Sequence, residues 1–214
     1  MTRSCEIIIP VGPGHEDTAN ESAKSVMLAA DFGNGPFSDI TVRMQHDTDG
    51  QLGRSAARNK AVKESDAEWV YFLDADDLVL PELFESVRGY IDDYDAIWGK
   101  FGELHGMLVL ERYQSHGFTT LERLVKIGPH CSIKIGHFVR REIALKYPFN
   151  EDMNAGEDWD YYLRIWKSER CIKIGGPITY VKTKNRRSSG PKSATGVDWA
   201  KSVARQIMAC ETKT

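Results

Sequence analysis

Three carboxylates fall within four positions at Asp74-Ala75-Asp76-Asp77, directly after the apolar run Val70-Tyr71-Phe72-Leu73. Asp-x-Asp in extended chain turns two carboxylates to one face, close enough to share a hard cation such as Mg²⁺ or Mn²⁺. Four β-prone residues without a polar break suit a strand buried on both faces of a parallel sheet. In open α/β sheets, ligands bind outside the carboxyl ends of such strands. On these residues alone, the same string also reads as an acidic turn capping a following helix, since Asp is a good N-cap. Two further charged stretches stand out. Glu151, Asp152, Glu157, Asp158 and Asp160 lie in a segment with no base, and Lys182, Lys184, Arg186, Arg187 and Lys192 in one with no acid.

The elements that must position these groups follow from periodicity. Residues 7–11 and 40–44 read as short apolar strands, the first closed by Gly12-Pro13-Gly14. Between them Ala19, Ala23, Val26, Met27 and Ala30 recur at helical spacing, up to Gly33, Gly35 and Pro36. A polar turn, His46-Asp47-Thr48-Asp49-Gly50, precedes a helix over 53–65 that carries Arg54, Arg58 and Asn59. Strand, helix, strand, helix, strand is the pattern of a parallel sheet with crossover helices. Pro81 is expected to open another helix, with Leu83, Phe84, Val87, Tyr90 and Ile91 inward.

The second half changes character. Residues 95–101 and 107–113 read as a hairpin, and Thr119 with Glu122 as a capping box for a helix burying Leu121, Leu124 and Val125. A strand over 133–139 and a brief helix over 141–146 follow. Trp159, Tyr162, Leu163 and Trp166 then form an amphipathic stripe. Residues 171–174 and 178–181 are two strand candidates. A last helix turns Trp199, Val203, Ile207 and Cys210 to one side.

Composition sets bounds on this picture. The chain has 214 residues, 41% hydrophobic and 28% charged, which suits one sizeable globular domain. A net charge of −3 provides no global field toward nucleic acid or anionic membrane. No apolar run approaches the ~18 residues of a membrane span, and residues 1–10 lack a signal-peptide layout. Cys5, Cys131, Cys171 and Cys210 are far apart and read as reduced thiols, so the expected location is cytoplasmic.

Three strings together resemble the signatures of family 2 glycosyltransferases of the GT-A fold. They are Ser55-Ala56-Ala57-Arg58-Asn59-Lys60-Ala61, the run from Tyr71 to Asp77, and Gly156-Glu157-Asp158-Trp159-Asp160 with Arg164. The first strand with Pro10, and the string from His137 to Glu142, sit where that family has them. The resemblance covers roughly residues 6–189. It implies an α/β fold with a Rossmann-like, mainly parallel central sheet flanked by helices and a smaller mixed acceptor-side part. Residues 1–214 would form one domain: about 1–95 for the nucleotide sugar, about 96–190 for the acceptor, and 191–214 a tail and helix.

The resemblance also implies chemistry. A nucleotide-sugar donor, of UDP type, leaves as a diphosphate whose developing charge a divalent ion stabilises. Asp76 would be the main ligand of Mn²⁺ or Mg²⁺, with Asp77 adding to it. Pro10, Val11, Arg54, Arg58, Asp74 and Ala75 would face the donor, and Asp47 or Asp49 would read its base. Lys182, Lys184, Arg186 and Arg187 would close over the diphosphate. Asp158 would take the proton of the attacking acceptor hydroxyl, which makes the enzyme inverting. Glu157 would position donor or acceptor groups, and His130 and Trp159 would lie on the acceptor side. The acceptor could be a glycan, a protein, a small molecule or a hydroxylated base in DNA.

One departure is plain: only Gln45 to Gly53 separates the second strand from the Ala-Arg-Asn motif, where the family has a longer element. Three other readings stay in play. Glu157 and Asp158 can serve merely as helix caps. A nucleotidyltransferase also uses a metal-bound Asp pair, but Gly12-Pro13-Gly14-His15-Glu16 lacks the basic residue its phosphate loop needs. A binding module without catalysis is the third.

Overall fold

The computed structural model of this chain describes residues 3–126, 133–183 and 196–211. Its first half is laid out as the periodicity predicts. β1 (Ser4–Val11), α1 (Glu16–Phe32), β2 (Asp39–His46), α2 (Gly53–Glu64) and β3 (Trp69–Phe72) follow in order. β1 pairs in parallel with both β2 and β3, with Val11 opposite His46 and Ile8 opposite Phe72. The three strands therefore end at the same edge, and the turns after them converge there. Ile7, Ile8, Ile9 and all of β3 are buried, as a central strand covered on both faces requires.

Beyond β3 come β4 (Asp77–Val79), β5 (Ala96–His105), β6 (Leu108–Glu111), α3 (Leu121–Lys126), β7 (His137–Arg140) and α4 (Arg141–Lys146). α5 (Glu157–Ser168), β8 (Cys171–Lys182) and α6 (Gly196–Glu211) complete the described chain. The described strands join one sheet in the order β2-β1-β3-β7-β5-β8-β4, and β6 lies off this path, paired with the far end of β5 from Gly102 to His105. The sheet is α/β and flanked by helices, but it is mixed. Pairs β1–β2, β1–β3 and β5–β8 are parallel, whereas β3–β7, β5–β7, β4–β8 and β5–β6 are antiparallel. The parallel layout thus holds for the first half and for one pair beyond it.

Several local expectations give way to tertiary contacts. Residues 81–94 form turns with a single 3₁₀ segment at Glu85–Val87, not an α-helix. Three-residue bonds such as Leu83 to Leu80 and Arg88 to Glu85 alternate there with four-residue bonds. Gly89 weakens helical propensity, and Gly35 packs so tightly on the Phe84 carbonyl that a Cβ would lie 2.0 Å from it. Leu83, Phe84, Val87 and Ile91 are nevertheless buried as expected, with Tyr90 packed at the margin.

Met27 is 52% exposed, and Ser22 and Ala29 take the inner face of α1 instead. Thr120, rather than Thr119, caps α3, its hydroxyl accepting the Arg123 N–H. The two strand candidates after Cys171 are one strand, β8, whose register with β5 shifts between Trp98 and Phe101. β7 begins only at His137. In the last helix Val203 is buried, and Trp199 and Ile207 pack against the core.

The core is dense in aromatic rings at the junction of β3, β5, β7 and α5. His137 stacks on Trp98 at 4.5 Å and 7°, and Tyr161 stacks on Phe149 at 4.0 Å. Burial alone of each large apolar side chain there is worth roughly 1.5–3 kcal/mol. Cys5 and Cys171 are free and buried; the side chains of Cys131 and Cys210 lie outside the described residues. Among the described residues, no helix is long and apolar enough to cross a membrane.

Enclosure gives His137 a consequence for stability. It is fully buried, its Nδ1 faces the Ile135 carbonyl, and burial pushes its pKa down to about 3. Between the ordinary imidazole value and that figure, only the unfolded chain takes up the proton. Stability from this group is therefore intact above about pH 6.5 and lost as pH falls, by up to about 1.4 kcal/mol per pH unit. Thermal melts at pH 7 and pH 4.5 are expected to show a smaller acid loss for His137→Phe than for wild type. An equal loss in both would remove His137 as the source.

Candidate active site

The acidic run after β3 is built as a turn. Asp77 N–H donates to the Asp74 carbonyl at 3.0 Å, and Asp77 itself opens β4. α1 holds this turn in place: Ser22 Oγ lies 2.6 Å from the Asp77 carbonyl and 3.0 Å from that of Ala75, and Ser25 Oγ accepts the Val79 N–H. From the other side the end of β8 closes on it. Tyr180 O–H donates to the Asp77 carboxylate, Thr183 N–H does so at 3.2 Å, and Thr183 Oγ1–H donates to the Asp76 carbonyl. Gly136 allows this packing, since a Cβ there would come within 2.5 Å of the Tyr180 ring.

Carboxylate oxygens of Asp74, Asp76 and Asp77 lie within 4.8 Å of one another. Asp77 is fully buried, and burial, then the Asp74 charge, push its acid well above the usual range. Three hard oxygen donors crowded around a negative charge they cannot disperse fit a divalent cation such as Mg²⁺ or Mn²⁺.

The second acidic motif stands at the start of α5. Gly156 adopts φ 77°, a left-handed conformation that disfavours other residues, and a Cβ there would lie 2.8 Å from Ser202 Oγ on α6. α6 docks on this helix start: Gln206 Nε2–H donates to the Gly156 carbonyl, and Trp199 Nε1–H to Asp158 Oδ1 at 3.0 Å. The Trp159 N–H reaches the same oxygen at 2.9 Å.

Asp158 and Asp74 meet in one cavity of about 420 Å³, together with Lys134, Ile135, Tyr180, Lys182 and Trp199. Burial, then the Lys182 charge, pull the Lys134 ammonium down to about 8, while Asp158 works the other way.

Other predicted site residues are placed differently. Glu157 is 4% exposed and does not line the cavity; its carboxylate faces Arg54 Nε at 2.5 Å and Arg58 Nη1 at 3.8 Å. Burial, then Asp158, raise its pKa against the pull of both guanidinium groups. Arg58 also pairs with Asp74 at 2.7 Å and lies over the Phe149 ring. These two arginines therefore brace α2 between the acid turn and α5. Asn59 ties α2 to Phe149 through two backbone bonds.

Asp47 accepts the Leu52 and Gly53 N–H groups and so shapes the entry to α2, while the more exposed Asp49 accepts the Gln51 N–H. Pro10 is half-buried at the end of β1, and the Val11 carbonyl accepts the Asp47 N–H. Trp159, read both as part of the α5 stripe and as an acceptor-side residue, is 1% exposed and keeps only the first place, in the core. The indole at the cavity is that of Trp199. His130, Lys184, Arg186 and Arg187 lie outside the described residues.

Sequence reasoning missed Lys134, Tyr180 and Trp199 as site residues. A lone charge between Ile133 and Ile135 was a usable signal for Lys134. Tyr180 and Trp199 sit in apolar patterns that look like any core stripe.

A family model described as glycosyl transferase family 2 matches residues 20–147, more than half of the chain. The chain belongs to glycosyltransferase family 2. An uncharacterized glycosyltransferase of Methanocaldococcus jannaschii is 28% identical over 119 residues, 53% of this chain and 41% of that protein. One of Haemophilus influenzae is 28% identical over 165 residues, 69% of this chain and 53% of that protein. This family 2 chain thus spans about half the length of the curated relatives it matches.

Among solved structures, residues 1–349 of Staphylococcus aureus TarS with UDP-GlcNAc superpose with TM-score 0.68 at 20% identity, over 97% of this chain and 65% of that one. Glucosyl-3-phosphoglycerate synthase of Mycobacterium tuberculosis, with Mn²⁺, UDP-glucose and phosphoglyceric acid, gives TM-score 0.54 at 13% identity, over 97% and 78%. These likenesses establish the fold, which is the expected GT-A type with a mixed sheet.

Proposed function

We propose that this family 2 chain is a metal-dependent, inverting glycosyltransferase that moves a sugar from a UDP-sugar to an acceptor hydroxyl. The observation that carries the reading is the shared cavity: Asp74, from the acid turn, and Asp158, from the α5 start, line the same space. A donor's leaving diphosphate and an acceptor's hydroxyl must be handled within one bond length of the same carbon, and two separately positioned carboxylate groups provide for both. The UDP-sugars held by the two structural relatives support UDP as the nucleotide.

Asp76, with Asp77 and Asp74, would hold a divalent cation, which supplies Lewis-acid stabilisation of the charge on the leaving diphosphate. The protein's own groups do the rest. The end of β1, at Pro10 and Val11, and the turn after β2, at Asp49, face the donor's nucleoside. Lys182, at the β8 end opposite Asp77, offsets diphosphate charge, joined by Lys184, Arg186 and Arg187. Asp158 accepts the acceptor's proton as its oxygen attacks the anomeric carbon, in a single displacement that inverts the centre. Arg58 and Glu157 act by position: they fix Asp74 and the α5 start relative to each other.

The test is hydrolysis of UDP-GlcNAc and UDP-glucose with Mn²⁺ or Mg²⁺, then acceptor screening with the active donor. Absence of metal-dependent turnover of any UDP-sugar would overturn the reading. The Trp199 contact yields a finer expectation. Trp199→Phe keeps an aromatic ring, though a smaller one, and removes the N–H that orients Asp158. It is expected to lower kcat about tenfold or more, the worth of one hydrogen bond to a charged group, with the donor's Kd near wild type. A loss in donor Kd with unchanged kcat would assign Trp199 to donor binding instead.

A further inference from the structure

Two lysines near the same ring show a contrast. Lys173 is fully buried, and its Nζ donates to the Gly99 carbonyl at 2.5 Å and to Gln114 Oε1 at 2.8 Å while lying over Phe101. Its needs are met, and it is a structural cation of the core. Lys134 Nζ lies 5.7 Å from the Phe101 centroid and 5.7 Å from that of Trp199, and it lines the cavity. It forms no hydrogen bond or ion pair among the described residues. The same cavity holds a second cation, Lys182, and the carboxylates of Asp74 and Asp158, neither of which forms an ion pair with Lys134.

Holding the Lys134 ammonium beside a like charge, with no hydrogen bond or ion pair among the described residues, costs stability. A fold that keeps the arrangement is built for an anion that arrives with a ligand. The two lysines have different neighbours around the cavity. Lys182 is in register with Asp77, on the side of the acid turn. Lys134 lies against Trp199, whose indole N–H is bonded to Asp158. A group beside Lys134 is therefore beside the hydroxyl that Asp158 must touch. An anion brought there would otherwise be repelled by Asp158, so a cation is needed for it to enter.

We infer that Lys134 receives an anionic substituent, a phosphate or a carboxylate, carried by the acceptor next to its attacking hydroxyl. The inference rests on the transferase reading above, and it narrows the acceptor to anionic hydroxyl compounds.

Calorimetry on the full chain saturated with UDP and Mn²⁺ tests it, with glycerol, glycerol 3-phosphate and glycerate as neutral, phosphate and carboxylate probes. At least one anionic probe is expected to bind about tenfold or more tighter than glycerol, and the tighter of the two identifies the group. Lys134→Met should weaken that probe by about 10- to 100-fold, with the Kd of UDP near wild type, and Lys134→Arg should restore most of the loss. Lys134→Gln serves if the Met variant does not fold. Equal or undetectable binding of the charged probes would overturn the inference. So would a Lys134 variant that weakens UDP by the same factor, since Lys134 would then serve the donor diphosphate. Failure of the transferase reading shows separately, as a chain that does not bind UDP with Mn²⁺ at all.

Discussion

Asp158→Asn is expected to lower sugar transfer by about 10²- to 10⁴-fold while donor and metal affinity stay near wild type. Asn is nearly isosteric, and its amide oxygen can still accept the Trp199 and Trp159 N–H groups now held by Oδ1. What it cannot do is take a proton. The loss should therefore sit in kcat, and the helix start should remain folded, because Trp159 is anchored in the core at 1% exposure. NMR of the wild-type product should show an anomer inverted relative to the donor. An Asp158→Asn chain that is stably folded and retains most of its turnover would leave this carboxylate only a capping role. A retained anomer would equally remove the single displacement.

Asp76→Ala is expected to lower UDP-sugar turnover by about 10³-fold or more and to weaken Mn²⁺ binding in the presence of UDP. It is a cleaner probe than its neighbour. Asp77 is fully buried and accepts from Tyr180 O–H and Thr183 N–H, so truncation there would strand both donors, the Tyr180 one buried, and disturb the end of β8. Asp76 contributes its backbone carbonyl to Thr183, and alanine keeps that contact. Paramagnetic titration with Mn²⁺ measures the binding arm directly, and circular dichroism checks the fold. Undiminished Mn²⁺ affinity in Asp76→Ala, or full wild-type activity in excess EDTA, would detach the acid turn from metal chemistry.

Lys134, Trp199 and Glu157 mark where sequence reasoning and tertiary structure part company. Glu157 and Asp158 are adjacent in sequence and equal in chemistry. A helix turns successive residues by roughly 100°, so one carboxylate faces the cavity and the other faces Arg54 and Arg58. No local pattern says which faces which way, because that depends on where α2 and α6 lie against α5. For the same reason Trp159 keeps only its expected stripe role, and Trp199 gains a site contact beside its expected packing. One is buried in the core stripe of α5, and the other is delivered to Asp158 by a helix distant in sequence.

By itself the sequence determined the parallel β1–β2–β3 layout, the acid turn at its edge, the α5 stripe and the family, because period-2 and period-3.6 burial and short motifs are local properties. The run from Pro81 to Tyr94 escaped such reading, since its apolar spacing is helical while Gly89 and the close packing of Phe84 on Gly35 act against a helix. Only the tertiary structure decided that β7 runs antiparallel to β3 and β5 and β4 antiparallel to β8, that the end of β8 brings Tyr180 and Thr183 onto Asp77, and that α6 reaches Asp158. Those contacts join residues 41 to 106 positions apart. Their energy comes from burying faces that each segment presents equally well to several partners, so the choice among partners is made by the whole packed sheet.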